Sequence, residues 1–257
     1  MSRNIRILVA YDGSHFFGWQ RQAGFESVQE ALEEALLSVT GEHITVRGSG
    51  RTDAGVHALA QVAHFHIDTA LSDNRLWHAL NANLPRGATV RALKTAPSDF
   101  HAQRSAIGKR YAYVIETGRF QSPFTHNRVC FVRGELDLVA MRAAARHFVG
   151  EMDFSAMASA GSPRATNVRR IFGLHVLPRK DGLALVVGGN GFLYHMVRAI
   201  AGTLIRVGKG RFEPAEVAAI LASKDRGQAG PTAPAGGLYM VSVRYREPLE
   251  WVMDPRG

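Results

Sequence analysis

Cysteine is nearly absent from this chain: Cys130 stands alone among 257 residues. One thiol excludes an internal disulfide framework and fits a reducing compartment. Long apolar runs are missing too, with none approaching the ~20 residues that a membrane-spanning helix requires. The first residues, Met1-Ser2-Arg3-Asn4-Ile5-Arg6-Ile7, alternate like a strand and do not resemble a signal peptide. There is no block of like charge, no low-complexity tail and no Gly/Ser linker; residues 227–237 are rich in glycine and proline but short. What remains is an ordinary globular composition, 46% hydrophobic and 21% charged, long enough for one large domain or two modest ones. The net charge of +9 and the pI near 10.2 favour a polyanionic partner, of which nucleic acid is the commonest in a cell. The basic residues are dispersed in small groups, Arg104/Lys109/Arg110, Arg164/Arg169/Arg170 and Arg206/Lys209/Arg211. A solvated basic surface kept for solubility is the plain alternative.

Patterning predicts an α+β chain. Residues 5–10 alternate and stop at Asp12-Gly13, a turn signal. Ser27 with Glu30 forms a capping box ahead of Val28, Ala31, Leu32, Ala35, Leu36 and Val39 at helical spacing, and Gly41 closes that helix. Strands follow at 44–47 and 59–67, the second with Ala63, Phe65 and Ile67 on one face and His64 and His66 on the other. Ser72 caps a helix carrying Leu76, Trp77 and Leu80, stopped by Pro85, and 89–94 is another strand. The order recurs with different residues: a strand at 109–116 with Tyr111, Tyr113 and Ile115 on one face, and a helix capped by Asp137 and ended by Gly150. Strands at 168–176 and 183–187 follow, then a helix with Met196, Val197, Ile200, Ala201 and Leu204 inward, a shorter one from Pro214, and a strand at 238–245. Two consecutive β-α-β-β-α-β halves are the ferredoxin-like, or RRM-like, pattern, with antiparallel sheets covered by helices on one face. The expected division is 1–107 and 108–257. The free face of such a sheet is where aromatic and basic residues meet RNA bases.

The segment with chemical content is Gly48-Ser49-Gly50-Arg51-Thr52-Asp53-Ala54-Gly55-Val56-His57. Its three glycines indicate a tight exposed loop between strands. It lacks the Gly-Lys-Ser/Thr of a phosphate loop, and a dinucleotide fingerprint would need a glycine where Asp53 stands. What is left is a carboxylate near a guanidinium with a threonine between. On spacing alone, an ordinary turn with Asp53 accepting backbone N–H bonds is the preferred reading.

That segment resembles the signature of the TruA family of tRNA pseudouridine synthases. Further stretches resemble the family in order: Tyr11-Asp12-Gly13 with Phe17-Gly18-Trp19-Gln20-Arg21-Gln22; Lys109-Arg110-Tyr111-Ala112-Tyr113; Phe192-Leu193-Tyr194-His195-Met196-Val197-Arg198 with Val207-Gly208-Lys209-Gly210; and Thr232-Ala233-Pro234-Ala235 with Gly237-Leu238. The resemblance runs from residue 5 to about 245, and residues 120–134 carry nothing over. It implies an isomerase that converts uridines at positions 38, 39 and 40 of tRNA, in the anticodon stem-loop, to pseudouridine, without redox cofactor, methyl donor, ATP or metal. It implies Asp53 as the nucleophile, attacking C6 or C1′ or assisting elimination at C2′, a choice it leaves open. Arg198 is implied as the guanidinium that keeps Asp53 ionised, and Tyr111 as the aromatic stacked on uracil and assisting removal of the C5 proton. Extrusion of the uridine costs roughly a few kcal/mol, and Arg51 is the candidate to fill the vacated space and hold phosphate. Family members act as cytoplasmic homodimers with tRNA across both subunits.

Three rivals fit parts of the sequence. A non-catalytic RNA-binding protein of doubled RRM-like type would share the charge and fold but has no use for the Asp53 loop together with Arg198. A metal hydrolase could draw on His57, His64, His66 and Asp53, although no third ligand has recognisable spacing. A uridine methyltransferase would need Cys130 as nucleophile, yet Val129-Cys130-Phe131-Val132 looks like a buried strand, where a thiol is blunted.

Overall fold

The computed structural model describes residues 2–159 and 166–253, so Arg164 of the second basic group lies outside the described residues. The chain forms two compact units, Met1–Ile107 with Met240–Gly257, and Gly108–Tyr239.

The first unit realises β-α-β-β-α-β. Strand β1 (Arg3–Tyr11) pairs antiparallel with β3 (His57–Ile67) on one side and β4 (Ala88–Ala96) on the other. The two-residue β2 (Arg47–Gly48) joins β3 through Arg47↔His64 and Gly48↔Ala63. A short β11 (Val252–Met253) extends the sheet beyond β4, and β10 (Leu238–Tyr245) lies beside β3. Helix α1 (Val28–Thr40) starts where Ser27 Oγ accepts the Glu30 N–H and stops at Gly41 in the left-handed region. Helix α2 (Asp73–Asn83) starts where Ser72 accepts the Arg75 N–H. The two helices pack together, and α2 also lies on β4. Ile5, Ile7, Leu76, Leu80 and Leu93 are fully buried between the layers, each worth about 1.5–3 kcal/mol of transfer free energy.

One expected strand is mostly absent. Residues 44–46 are irregular, and only Arg47 and Gly48 pair. The backbone of Val46 is satisfied by α1 side chains instead: its N–H donates to Glu33 Oε1 at 3.0 Å and its carbonyl accepts from Gln29 Nε2 at 3.1 Å. Helix side chains thereby take the place of a strand partner.

In the second unit the sheet order is β5-β9-β8-β7. Strand β5 (Ala106–Gly118), β9 (Gly182–Gly189), β8 (Val168–Arg179) and β7 (Gly150–Asp153) are antiparallel neighbours, whereas β6 (Cys130–Arg133) joins the other edge of β5 in parallel. Strand β7 is an addition to the expected pattern. Helix α3 (Leu138–Ala145) is capped by Asp137, whose carboxylate accepts from the Val139 and Ala140 N–H groups. Its regular turns end at Ala145, and a 3₁₀ turn over Arg146–Phe148 carries the fully buried Phe148 inward ahead of Gly150. Helix α4 (Met196–Gly208) packs on α3, and α5 (Glu216–Ser223) begins two residues after Pro214. Among the described residues no helix is long and apolar enough to cross a membrane.

Candidate active site

The loop between β2 and β3 is held from beneath. Ser49, fully buried, donates its N–H to the Val62 carbonyl at 2.8 Å and its hydroxyl to Gln61 Oε1 at 2.5 Å. Gln61 in turn donates through Nε2 to the Gly50 carbonyl at 2.7 Å. Thr52 is buried, and its Oγ1 lies 2.8 Å from the Tyr11 hydroxyl, itself deep in the unit. Burial pushes the Tyr11 phenol well above its ordinary pKa, so it stays a neutral hydrogen-bonding group. At the far end the Val56 N–H closes a turn onto the Asp53 carbonyl at 3.1 Å. Asp53 stands at the crest, half-buried, with Arg51 exposed beside it.

A second segment braces the first. The Trp19 N–H donates to the Thr52 carbonyl at 3.0 Å, while the Trp19 carbonyl accepts from Gln29 N–H at 3.0 Å and the Gly18 carbonyl from Val28 N–H at 3.1 Å. Residues 18 and 19 therefore couple the Asp53 loop to the first turn of α1. Gly18 has φ +84°, and a Cβ there would meet the Thr52 carbonyl oxygen at 2.5 Å and the Asp53 carbonyl carbon at 3.0 Å. Both the conformation and the approach demand glycine.

The other expected residues lie in the second unit. Tyr111 and Tyr113 project from the same face of β5 and are buried. The Tyr111 ring meets Phe192 edge-on, centroids 5.1 Å apart. Tyr113 donates its hydroxyl to the Pro234 carbonyl at 2.8 Å and is core, as expected. Arg198 occupies the first turn of α4, half-buried, and its Nε donates to the Ala233 carbonyl at 2.8 Å. The Ala233 N–H answers by donating to the Arg198 carbonyl at 3.1 Å. Arg226 holds the same strip through Gly230 and Thr232. The stretch 230–234 is thus a bracket for Arg198 and Tyr113. Arg51 and Asp53 share a loop in the first unit; Tyr111 and Arg198 belong to the second.

Tyr11 and Gly18 lie in a stretch that carries the family resemblance but had no role assigned to them from sequence, and Gln61 was not singled out at all. Gln61 was the most accessible of them: a polar residue at the inward position of an apolar strand needs a partner.

The rival chemistries find little support. His57 Nδ1 accepts the Gly13 N–H at 3.0 Å, and His64 Nδ1 accepts the Ala102 N–H at 3.2 Å. Among the described residues no group of three or more His, Cys, Asp or Glu is placed to hold a metal ion. His64 is a satisfied interior imidazole, its pKa lowered to about 4 by burial and then by the neighbouring His101. Cys130 is buried and its thiol pKa is raised by that burial, which removes the thiolate a methyltransferase would use.

Comparison with known proteins adds a separate line. A family profile described as "tRNA pseudouridine synthase" matches residues 7–103 and 144–246. A tRNA pseudouridine synthase A of Ruminiclostridium cellulolyticum is 43% identical over 244 residues, 95% of this chain and 100% of the relative. One from Caldicellulosiruptor saccharolyticus is 42% identical with the same coverage. One from Syntrophotalea carbinolica is 43% identical over 94% of this chain and 96% of its own length.

Proposed function

The chain belongs to the tRNA pseudouridine synthase family, and from that premise we propose that it isomerises uridine to pseudouridine at positions 38, 39 and 40 of tRNA, with Asp53 as the nucleophile. In this reaction the N1–C1′ bond of uridine breaks and a C5–C1′ bond forms; C5 loses its proton to solvent and N1 gains one. The uracil must turn without escaping, which calls for a covalent or tightly held intermediate. The observation that supports Asp53 is its setting: a half-buried carboxylate at the crest of a loop whose flanking residues, Ser49, Thr52 and Val56, are all buried and hydrogen-bonded. An ordinary solvated turn needs no such foundation, whereas a nucleophile needs a fixed position.

Arg198, its Nε anchored on the Ala233 carbonyl, is the guanidinium partner of that carboxylate in this reading. Tyr111 stacks on the uracil and assists loss of the C5 proton. Arg51, exposed next to the nucleophile, enters the space left by the extruded uridine and holds phosphate. The excess of nine positive charges supplies further phosphate contacts, so recognition follows tRNA shape. The enzyme works in the cytoplasm as a homodimer with tRNA across both subunits, and sedimentation with and without tRNA tests that assembly.

The test of the nucleophile is Asp53→Asn. The variant should fold and bind tRNA but release no tritium from tRNA labelled at uridine C5. Release at the wild-type rate would refute the assignment.

A further inference from the structure

The second unit contains a cation that its own residues do not explain. Lys109 lies two positions before Tyr111 on β5, so the two side chains share a face. Its partner on β9 is Gly189, which places no side chain beside it. Phe192 occupies that room: a Cβ on Gly189 would meet the Phe192 ring at 3.2 Å. Cross-strand partners point to the same face, so Phe192 lies over the same face as Lys109 and Tyr111, and its edge-on contact with Tyr111 agrees. Lys109 itself is half-buried on that face.

Among the described residues no carboxylate is paired with it. On the segments flanking it, the charged and titratable groups among the described residues are Tyr111 on β5, Arg169 and Arg170 on β8, and Tyr194 and His195 after Phe192. Among the described residues Lys109 makes no ion pair, and burial alone lowers its pKa, to about 8. A desolvated cation is normally paired; where the described residues supply no partner, a ligand is the natural source.

We propose that Lys109 is the receptor for a backbone phosphate of the RNA next to the target uridine. The proposal rests on the reading that Tyr111 faces that uridine. A phosphate is a permanent anion, present before any bond breaks, so Lys109 contributes to binding in the ground state and not to the chemical step. It binds as the ammonium form, and the phosphate raises its pKa in the complex. Below about pH 7 the free enzyme is already protonated and affinity is flat. Above about pH 8 the free lysine is neutral, binding must take up a proton, and affinity falls by up to tenfold per pH unit.

The experiment measures binding of an anticodon stem-loop transcript in the Asp53→Asn background between pH 6.5 and 9, at several salt concentrations, with kcat and KM taken separately in the Asp53 enzyme. Lys109→Met should bind about tenfold or more weakly at pH 7, lose the break near pH 8, reduce the salt slope by about 0.7–0.9, and keep kcat at saturating tRNA within a few-fold. Lys109→Arg should restore affinity without the break, because a guanidinium stays charged across this range. Its pH profile also carries the test if the methionine variant fails to fold. Unchanged affinity in Lys109→Met, a break near pH 8 that survives in Lys109→Arg, or a loss confined to kcat would each overturn the proposal. The last would instead assign Lys109 to the reacting uracil. An active Asp53→Asn enzyme would sink the nucleophile while leaving these binding measurements intact.

Discussion

If the Asp53 loop is held by the Tyr11–Thr52 hydrogen bond, then breaking that bond from the tyrosine side must cost more than removing it whole. The two oxygens are 2.8 Å apart and buried, with Tyr11 4% and Thr52 7% exposed. Tyr11→Phe removes the phenol and leaves the Thr52 hydroxyl without this partner. An unsatisfied buried hydroxyl costs about 1–3 kcal/mol; taking about 2 kcal/mol, the melting temperature of a chain this size falls by about 4–8 °C. Thr52→Val is milder, because Gln61 also bonds to the Tyr11 hydroxyl and can keep it satisfied. The double variant Tyr11→Phe/Thr52→Val leaves neither group stranded, so its loss should fall short of the sum of the two by about 1–2 kcal/mol. Urea denaturation of the four proteins measures this coupling. Turnover should follow the same order, with tyrosine removal the worst single change and the double variant partly recovered. Additivity within about 0.5 kcal/mol would show that the bond does not carry the loop.

Three further outcomes follow from the same geometry. Gly18→Ala puts a Cβ 2.5 Å from the Thr52 carbonyl at φ +84°, so it should destabilise the chain by about 1–3 kcal/mol and slow turnover at saturating tRNA far more than it weakens binding; wild-type kcat would break the link between Gly18 and the nucleophile loop. His64 has its pKa depressed to about 4 from 6.5, so the unfolded chain binds this proton first; its contribution is complete above pH 6.5 and is lost as pH falls toward 4. His64→Asn, which can still accept the Ala102 N–H, should flatten stability against pH in that window, and denaturation midpoints at pH 4.5 and 7.5 compare the two proteins. Arg198→Ala should reduce kcat by orders of magnitude with only a few-fold loss of tRNA affinity, and equal losses in the two would make Arg198 a phosphate contact.

What could be read from the sequence was whatever the chain decides locally. Ser27 with Glu30, Ser72 and Asp137 announced helix starts because a cap needs only its own next turn. The shared face of Tyr111, Tyr113 and Ile115 followed from strand period two. Pairings between distant residues were not legible. The apolar alternation at 44–46 looked like strand because nothing in those residues reveals that Glu33 and Gln29 will satisfy Val46. Strand β7 is four residues long and owes its existence to β8, and the parallel attachment of β6 to β5 is fixed by register, not composition.

The candidate site divides the same way. Asp53 was found through its motif, but the motif alone could not distinguish a nucleophile from a turn, since both place an aspartate among glycines. What supports the nucleophile reading is underneath: Thr52 anchored to a tyrosine 41 residues earlier, Ser49 and Gly50 anchored to a buried glutamine, and a glycine on the approach to α1 shaped to the loop's backbone. None of these groups is reactive. They immobilise a half-buried carboxylate, which is unfavourable for a surface turn and useful only where geometry must be preserved while a bond is made. The proposal for Lys109 follows the same logic from the opposite sign of charge: a half-buried cation with no ion-pair partner among the described residues is poor for stability, and an anionic ligand would complete it. In both places the strongest pointer to function is a local arrangement that folding alone would not favour.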